Sequence, residues 1–247
     1  MAITYVGGLT AGITAISTAT QSISLTSLGL VAGDLVLVSY CLSTVSSDAN
    51  LSAKISTTGY TQVTELFAND TNAANMAVFR KFMGTTPDSS LVIVGKNTTA
   101  QGGTVVISVF RGVNTAVPLD VTTTTAVAID TGNANPAAIT PAKANNVIVV
   151  FANSATSLTL RTYTTASTAY LSGFQQVNNA GSTTGSTAGS GYITGQSAGV
   201  SYDPAAWALN TDSTNNSWNA ATLVLRPKVT ENGSTTLLGV GSLSSLG

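Results

Sequence analysis

Apolar and polar positions alternate along this chain in short runs, and turn-forming residues separate the runs. Gln21-Ser22-Ile23-Ser24-Leu25-Thr26 alternates with period two, the pattern of a strand with one wet face. Asp34 to Leu42 (DLVLVSYCL) is nearly continuously apolar, as a strand covered on both faces should be. The same reading predicts strands at Tyr60 to Phe67, Asn75 to Met83, Ser90 to Lys96 and Thr104 to Arg111. Beyond Pro118 it predicts Val121 to Ile129, Asn146 to Asn153, Leu171 to Val177, Ser190 to Thr194 and Ala220 to Arg226. Ala180 to Gly191, AGSTTGSTAGSG, reads as the clearest loop. Short strands with no helical periodicity between them predict an all-β fold, a single antiparallel β-sandwich of jelly-roll type.

The two halves of the chain echo one another. GDLVLVSYCLS, then Gly59-Tyr60-Thr61-Gln62-Val63, then TVVISVFRG are answered by NNVIVVFANS, Gly173-Phe174-Gln175-Gln176-Val177 and AATLVLRP. The irregular spacing implies no solenoid or propeller, whereas two similar Greek-key halves closing on one core fit it.

The ends differ from the middle, which divides the chain into an N-terminal arm (1–20), a sandwich domain (21–227) and a C-terminal arm (228–247). Both arms are rich in Gly, Ser and Thr but carry spaced apolar residues: Ile3, Val6, Leu9, Ile13 and Ile16 in the first, Leu237, Leu238, Val240, Leu243 and Leu246 in the second. Left in water, such side chains would each forgo roughly 1.5 to 3 kcal/mol of burial, so an arm laid on a neighbouring subunit is expected, the C-terminal one above all.

Composition narrows the chemistry. The chain has 247 residues, a net charge of -1, only 8% charged residues, no His and one Cys. A balanced, sparse charge gives no field for nucleic acid or for an anionic membrane surface. No apolar run reaches the ~20 residues of a spanning helix, and no basic residue precedes the first apolar stretch, so synthesis in a cytoplasm is expected. Without His, the Ser-His-Asp and Cys-His triads are impossible. Cys41 sits inside an apolar strand, where an inert thiol is expected.

Asp34, Asp88, Asp120 and Asp203 lie beside Gly or Pro, where turn-forming Asp is common. Asp48-Ala49-Asn50, Asp70-Thr71-Asn72 and Asp212-Ser213-Thr214-Asn215 offer oxygens but lack the ligand series of a calcium loop. The reading therefore assigns no catalytic residue, no metal and no cofactor. Arg80-Lys81 and Arg111 are expected as rim charges that discourage strand-on-strand aggregation. Tyr192, Tyr202, Trp207 and Trp218 fall in a polar, Gly- and Asn-rich region, and are the candidates for contact with a ligand or partner.

An ordered set of phrases then resembles a known family. These are Leu30-Val31-Ala32-Gly33-Asp34 before an apolar strand, Gly59-Tyr60-Thr61-Gln62-Val63, Ala77-Val78-Phe79-Arg80-Lys81-Phe82, and Val109-Phe110-Arg111-Gly112-Val113 followed by Pro118-Leu119-Asp120. Ile139-Thr140-Pro141 before Asn146-Val147-Ile148-Val149-Val150, and a closing Ala221-Thr222-Leu223-Val224-Leu225-Arg226-Pro227, complete the set. Together they resemble a β-sandwich domain of tailed-bacteriophage virion proteins that also recurs in some bacterial surface proteins. Roughly residues 21 to 227 are covered, and Tyr60 stands where the family usually has Trp.

The resemblance implies a non-enzymatic virion protein, a tail-fibre or tail-appendage subunit, with a capsid decoration protein as the alternative; the Tyr192 to Trp218 aromatics give a carbohydrate-binding module as a further one. Its expected partners are other virion proteins, a host-surface glycan and copies of itself. So few charges offer little repulsion, so a symmetric oligomer is expected; the resemblance to phage appendages implies a trimer ahead of a dimer.

Overall fold

The computed structural model describes residues 2–44, 54–70, 73–97, 101–129, 133–156, 163–165, 175–178, 185–209 and 215–228. Among them the chain is antiparallel β, with one short 3-10 turn at Thr26–Leu28. The strands are β1 (Thr4–Gly12), β2 (Thr20–Ser24), β3 (Leu35–Thr44), β4 (Thr61–Ala68), β5 (Ala73–Phe82), β6 (Ser90–Val94) and β7 (Gly102–Arg111). They continue with β8 (Thr124–Ala128), β9 (Asn146–Thr156), β10 (Tyr163–Thr165), β11 (Gln175–Asn178), β12 (Gly185–Gln196), β13 (Ala208–Leu209) and β14 (Asn215–Leu225).

Two five-stranded sheets form the sandwich. One runs β1-β7-β3-β5-β4, the other β8-β14-β9-β12-β11. Ranked by chain position within its half, each has the same order, first-fifth-second-fourth-third. The echo in the sequence is thus an echo in topology. Every sheet strand of one half has a counterpart in the other, and each sheet comes from one contiguous stretch of chain, where a jelly roll interleaves two Greek keys across both sheets.

Register makes the correspondence residue by residue. Leu35 stands opposite Phe110 and Phe82, and Val147 opposite Leu225 and Thr194. Phe110 and Leu225 each precede an arginine, Arg111 and Arg226. The residues two before Leu35 and Val147, Gly33 and Asn145, both adopt left-handed backbone, with φ of 85° and 60°. Only a turn geometry shared by both halves places a left-handed residue there twice.

Alternation along the strands explains why both faces of each sheet are covered. Leu35, Leu37, Cys41, Met76, Val78, Val106 and Phe110 face Val147, Val149, Phe151, Ala188, Ala221, Leu223 and Leu225 across the inter-sheet core. The opposite set, Val36, Val38, Tyr40, Leu42, Phe79 and Ile107, is roofed by the β2–β6 ladder, with Ile13, Ile23, Leu25, Leu91 and Ile93. On the far side, Val150, Ala152, Trp218 and Ala220 lie under Trp207 and Ala134, and Ile148 and Val224 under Ile139. That roof joins the segment before β9 to the segment after β12 through the antiparallel bridges Ala134↔Trp207 and Ile139↔Tyr202. β2 and β6 occupy the same two places in the first half. The nearly continuous apolar runs at β3 and β9 follow from this double coverage.

Two expectations need correction. Residues 4–12 are no free arm: β1 pairs with β7 along its length, Ile3 and Ile13 are buried, and the Gln21 side chain ties the chain back to Gly12, Thr14 and Ala15. The Gly and Thr content that suggested an arm suits an edge strand with one side chain in two packed. The AGSTTGSTAGSG loop is likewise half wrong, because Gly185 to Gly191 are buried residues of β12, hydrogen-bonded to both β9 and β11. Small residues are needed there for close approach. A Cβ on Gly102 of β7 would stand 2.6 Å from the backbone nitrogen of Ser186. Residues 180–184, and 229–247 of the C-terminal arm with Leu237, Leu238, Val240, Leu243 and Leu246, lie outside the described residues.

Candidate functional site

The sandwich has two long seams where its sheets end. β1 lies over β11 at one, and β4 lies over β8 at the other, so a pseudo-twofold relating the halves exchanges the seams. The first seam is filled. Tyr5 stacks on Tyr192 with ring centroids 4.4 Å apart, and Phe110 meets the Tyr192 ring edge-on at 5.7 Å. Offset and edge-to-face contacts of this kind are worth about 0.5–1.5 kcal/mol beyond the area they bury.

At the second seam the equivalent position carries a charge. Tyr192 stands opposite Val149 on β9, and Arg80 opposite Leu37 on β3, which the register above makes equivalent. Arg80 lines a depression of about 430 Å³ together with Gln62, Val63, Thr64, Leu119, Thr122, Thr123 and Thr125. It also lines an adjoining depression of about 210 Å³, with Gly59, Thr61, Lys81, Phe82, Thr115, Ala116 and Pro118. Arg80 is common to both, and the two depressions together are the groove of this seam.

The walls of the groove are fixed. On the β4 side the register shifts between Gln62 and Thr64, a bulge that turns Val63 toward the seam's inter-sheet core. On the β8 side, Asp120 accepts hydrogen bonds from Arg226 at 3.1 Å and from the backbone of Ala142 and Lys143 at 2.6 and 2.7 Å. Its own N–H donates to Val224, and Leu119 bridges to Leu225, so the Leu119–Thr125 wall is anchored to β14. At the far end the Asn114 side chain caps the N–H groups of Ala116 and Val117, both at 3.0 Å.

The cations divide by role. Lys81 donates to Asp88 at 2.6 Å and to the Thr58 carbonyl at 2.8 Å, above the Tyr60 ring. Arg111 forks onto Asp34, Nε to Oδ1 at 2.7 Å and a terminal nitrogen to Oδ2 at 2.9 Å, and Asp34 also accepts from the Val31 N–H. Lys96, almost fully buried, donates to the Gln101 carbonyl, and burial lowers its affinity for a proton. Among the described residues, the Arg80 guanidinium makes no ion pair or hydrogen bond; it is half-buried and faces the groove. β5 has β4 outside it, so the expectation of an edge charge fails for Arg80 and Lys81. For Arg111, at the end of an inner strand, the carboxylate fork gives the reason for its place.

The aromatic candidates fare differently from what their polar neighbourhood implied. Trp207 is fully buried and Trp218 nearly so, both in the outer core of the second half, so neither ring face is open to a ligand. Tyr192 is spent on the filled seam, and Tyr202 is half-buried in the roof, bridged to Ile139. Sequence reasoning missed the groove because Arg80 and Thr125 lie far apart in the chain and only the packing of the β5–β4 edge of one sheet against β8 of the other unites them. The signal available was the echo, had the alignment been carried on to β5 and β12.

Cys41 is fully buried with its thiol 3.4 Å from the Ser39 hydroxyl; burial pushes its pKa up to about 12, which is the inert behaviour expected of it. Asp34, Asp88 and Asp120 hold strand ends in ion pairs. No group of three or more metal-ligating side chains occurs among the described residues, and residues 48–50 and 212–214 lie outside them. Compared with known family models, curated proteins and solved structures, the chain matches none.

Proposed function

We propose that the chain is a non-enzymatic structural subunit of a tailed-bacteriophage virion, a tail fibre or tail appendage, assembling with copies of itself and with other virion proteins. The observation that supports this reading is where the family-like phrases fall. Gly33-Asp34 and Arg111-Gly112 meet in one joint, with Asp34 fully buried and forked by Arg111, so the phrases that carry the resemblance serve to lock strand ends. A fold whose two sheets are each covered on both faces suits a part that must stay rigid while it transmits or resists load. Capsid decoration is the second placement. The two differ in stoichiometry, because decoration of a head requires hundreds of copies per particle and a tail part a few tens.

Quantitative mass spectrometry of purified particles, with gold-labelled antibody to locate the chain, tests the proposal. Low copy number with label on the tail supports it. High copy number with label on the head moves the chain to decoration, and absence from particles rejects both.

A further inference from the structure

The two seams are built on equivalent positions, yet one is closed by aromatic packing and the other is left as a groove with a guanidinium that no group of the described residues satisfies. A half-buried Arg without a carboxylate partner, in a chain whose other two described arginines both have one, offers an incoming anion donors that are otherwise met by water alone. The planar fork of a guanidinium matches a carboxylate with two parallel hydrogen bonds.

The rest of the lining says what carries that carboxylate. Thr64, Thr122, Thr123 and Thr125 surround the larger depression, and Thr61 and Thr115 the smaller. Threonine hydroxyls both donate and accept, the pattern that answers the hydroxyls of a sugar. Val63 and Leu119 supply a small apolar patch of the sort a pyranose C–H face covers. Both depressions are open to solvent and share Arg80, so a ligand longer than one sugar ring can reach both. An acidic peptide would dock by its main chain along a strand edge with side chains in alternate pockets, whereas here six threonines line the two depressions.

We propose that the β4–β8 seam binds a uronic- or sialic-acid-containing polysaccharide, with one sugar carboxylate on Arg80 and neighbouring rings on the threonine-lined walls. The groove would do so wherever the protein sits in a particle, so the inference stands apart from the virion reading.

The test is calorimetric titration of the full chain with three acidic probes: oligogalacturonate, hyaluronan fragments and oligosialic acid. Controls are methyl-esterified oligogalacturonate, poly-L-glutamate and sodium sulfate. Saturable binding of at least one acidic sugar is expected, weaker by about tenfold or more in Arg80→Gln, as loss of a charge-assisted pair implies. A second variant guards against a folding defect. Thr122 is exposed, so Thr122→Trp should leave the melting temperature unchanged and still block the groove. Binding that survives both variants, equal binding of the ester, equal binding of polyglutamate or sulfate, or no binding by any acidic sugar would each overturn the proposal.

Discussion

The two halves of this chain share a topology and a register but finish their surfaces differently. The first half roofs its outer face with a true two-stranded ladder, β2–β6, five residues paired with five. The second does the same job with two isolated bridges and one large side chain, Trp207. Seam by seam the contrast is reversed: the Tyr5–Tyr192 stack closes one edge of the sandwich, while the Arg80 edge stays open. A duplicated scaffold therefore carries its own control, since a residue can be judged against its equivalent in the same molecule. Where both halves solve a packing problem alike, the solution belongs to the fold. Where they part, the difference marks what one half does and the other does not.

The roofs give the largest expected effect. Trp207→Ala removes the side chain on which the second roof depends and should destabilise by about 3–5 kcal/mol, as for other buried Trp and Phe truncations. Ile23→Val, one methylene from the ladder roof, should cost only about 0.5–1.5 kcal/mol. Denaturant unfolding measures both. If Trp207→Ala fell within the range of Ile23→Val, backbone bridging and not the indole would be holding the second roof.

Next in size is the strand-end joint. Asp34 is fully buried on the Arg111 fork, whereas its equivalent in the second half is Asn146, and Arg226 turns instead to Asp120. Asp34→Asn should therefore destabilise by about 1–3 kcal/mol, reduced from the full value of a buried pair because Arg111 is half exposed. Asn146→Asp would lose the amide donors to Lys143 and Gln196 and gain no free arginine, so it should not stabilise. A stabilised Asn146→Asp would mean that Arg226 is shared between two carboxylates.

Much of this was legible in the sequence and some was not, for physical reasons. Strands covered on both faces announce themselves as unbroken apolar runs, which is why β3 and β9 could be read directly. β12 could not, because close sheet approach selects Gly, Ser and Ala, and those residues look like a loop when burial is unknown. β1 resembles an arm in sequence for a related reason: an edge strand with a bulge between Tyr5 and Gly7 loses its clean alternation. The joints were legible only as phrases, since the Asp34–Arg111 contact spans 77 positions. The tryptophans were misplaced because polar sequence neighbours say nothing of what lies across a sheet.

Alkali should separate the halves by chemistry. Burial, helped by Tyr192 for Tyr5, by Cys41 for Tyr40 and by Asp88 for Tyr60, raises all three phenols above their ordinary value near 10, and the Cys41 thiol rises to about 12. All four lie in the first half; burial also raises Tyr192 and Tyr202 of the second half, both at less buried sites, while Tyr40 and Cys41 are replaced there by Ala152 and Asn153. Between its ordinary and its folded pKa each group keeps its proton in the folded chain and loses it in the unfolded one. Folding stability is then fully present below about pH 9 and lost as pH rises from there. Tyr40→Phe should leave the neutral melting temperature within a few degrees and shift alkaline unfolding upward, whereas Tyr202→Phe, at a half-buried site, should shift it less. Equal shifts would mean that the alkaline weakness is spread over both halves.

The smallest expected effect bears most directly on the open seam. Arg80→Tyr copies the residue of the equivalent position, Tyr192, into the groove. Without a stacking partner, because Tyr5 has no aromatic equivalent on β8, the new ring can bury only against Val63 and Leu119. Against that gain stands the loss of the stem methylenes of Arg80, which already cover part of the same surface. The balance should be a rise of less than about 1 kcal/mol, since replacing an unpaired, partly desolvated cation by an apolar ring relieves its dehydration. Thermal unfolding at low and high salt checks this, and the sign is what matters. A stabilised variant means that Arg80 is kept at a cost to the fold, as a binding residue would be. A variant destabilised by more than about 1 kcal/mol would show that the guanidinium holds the seam together, and the contrast between the seams would then reflect two ways of closing one edge.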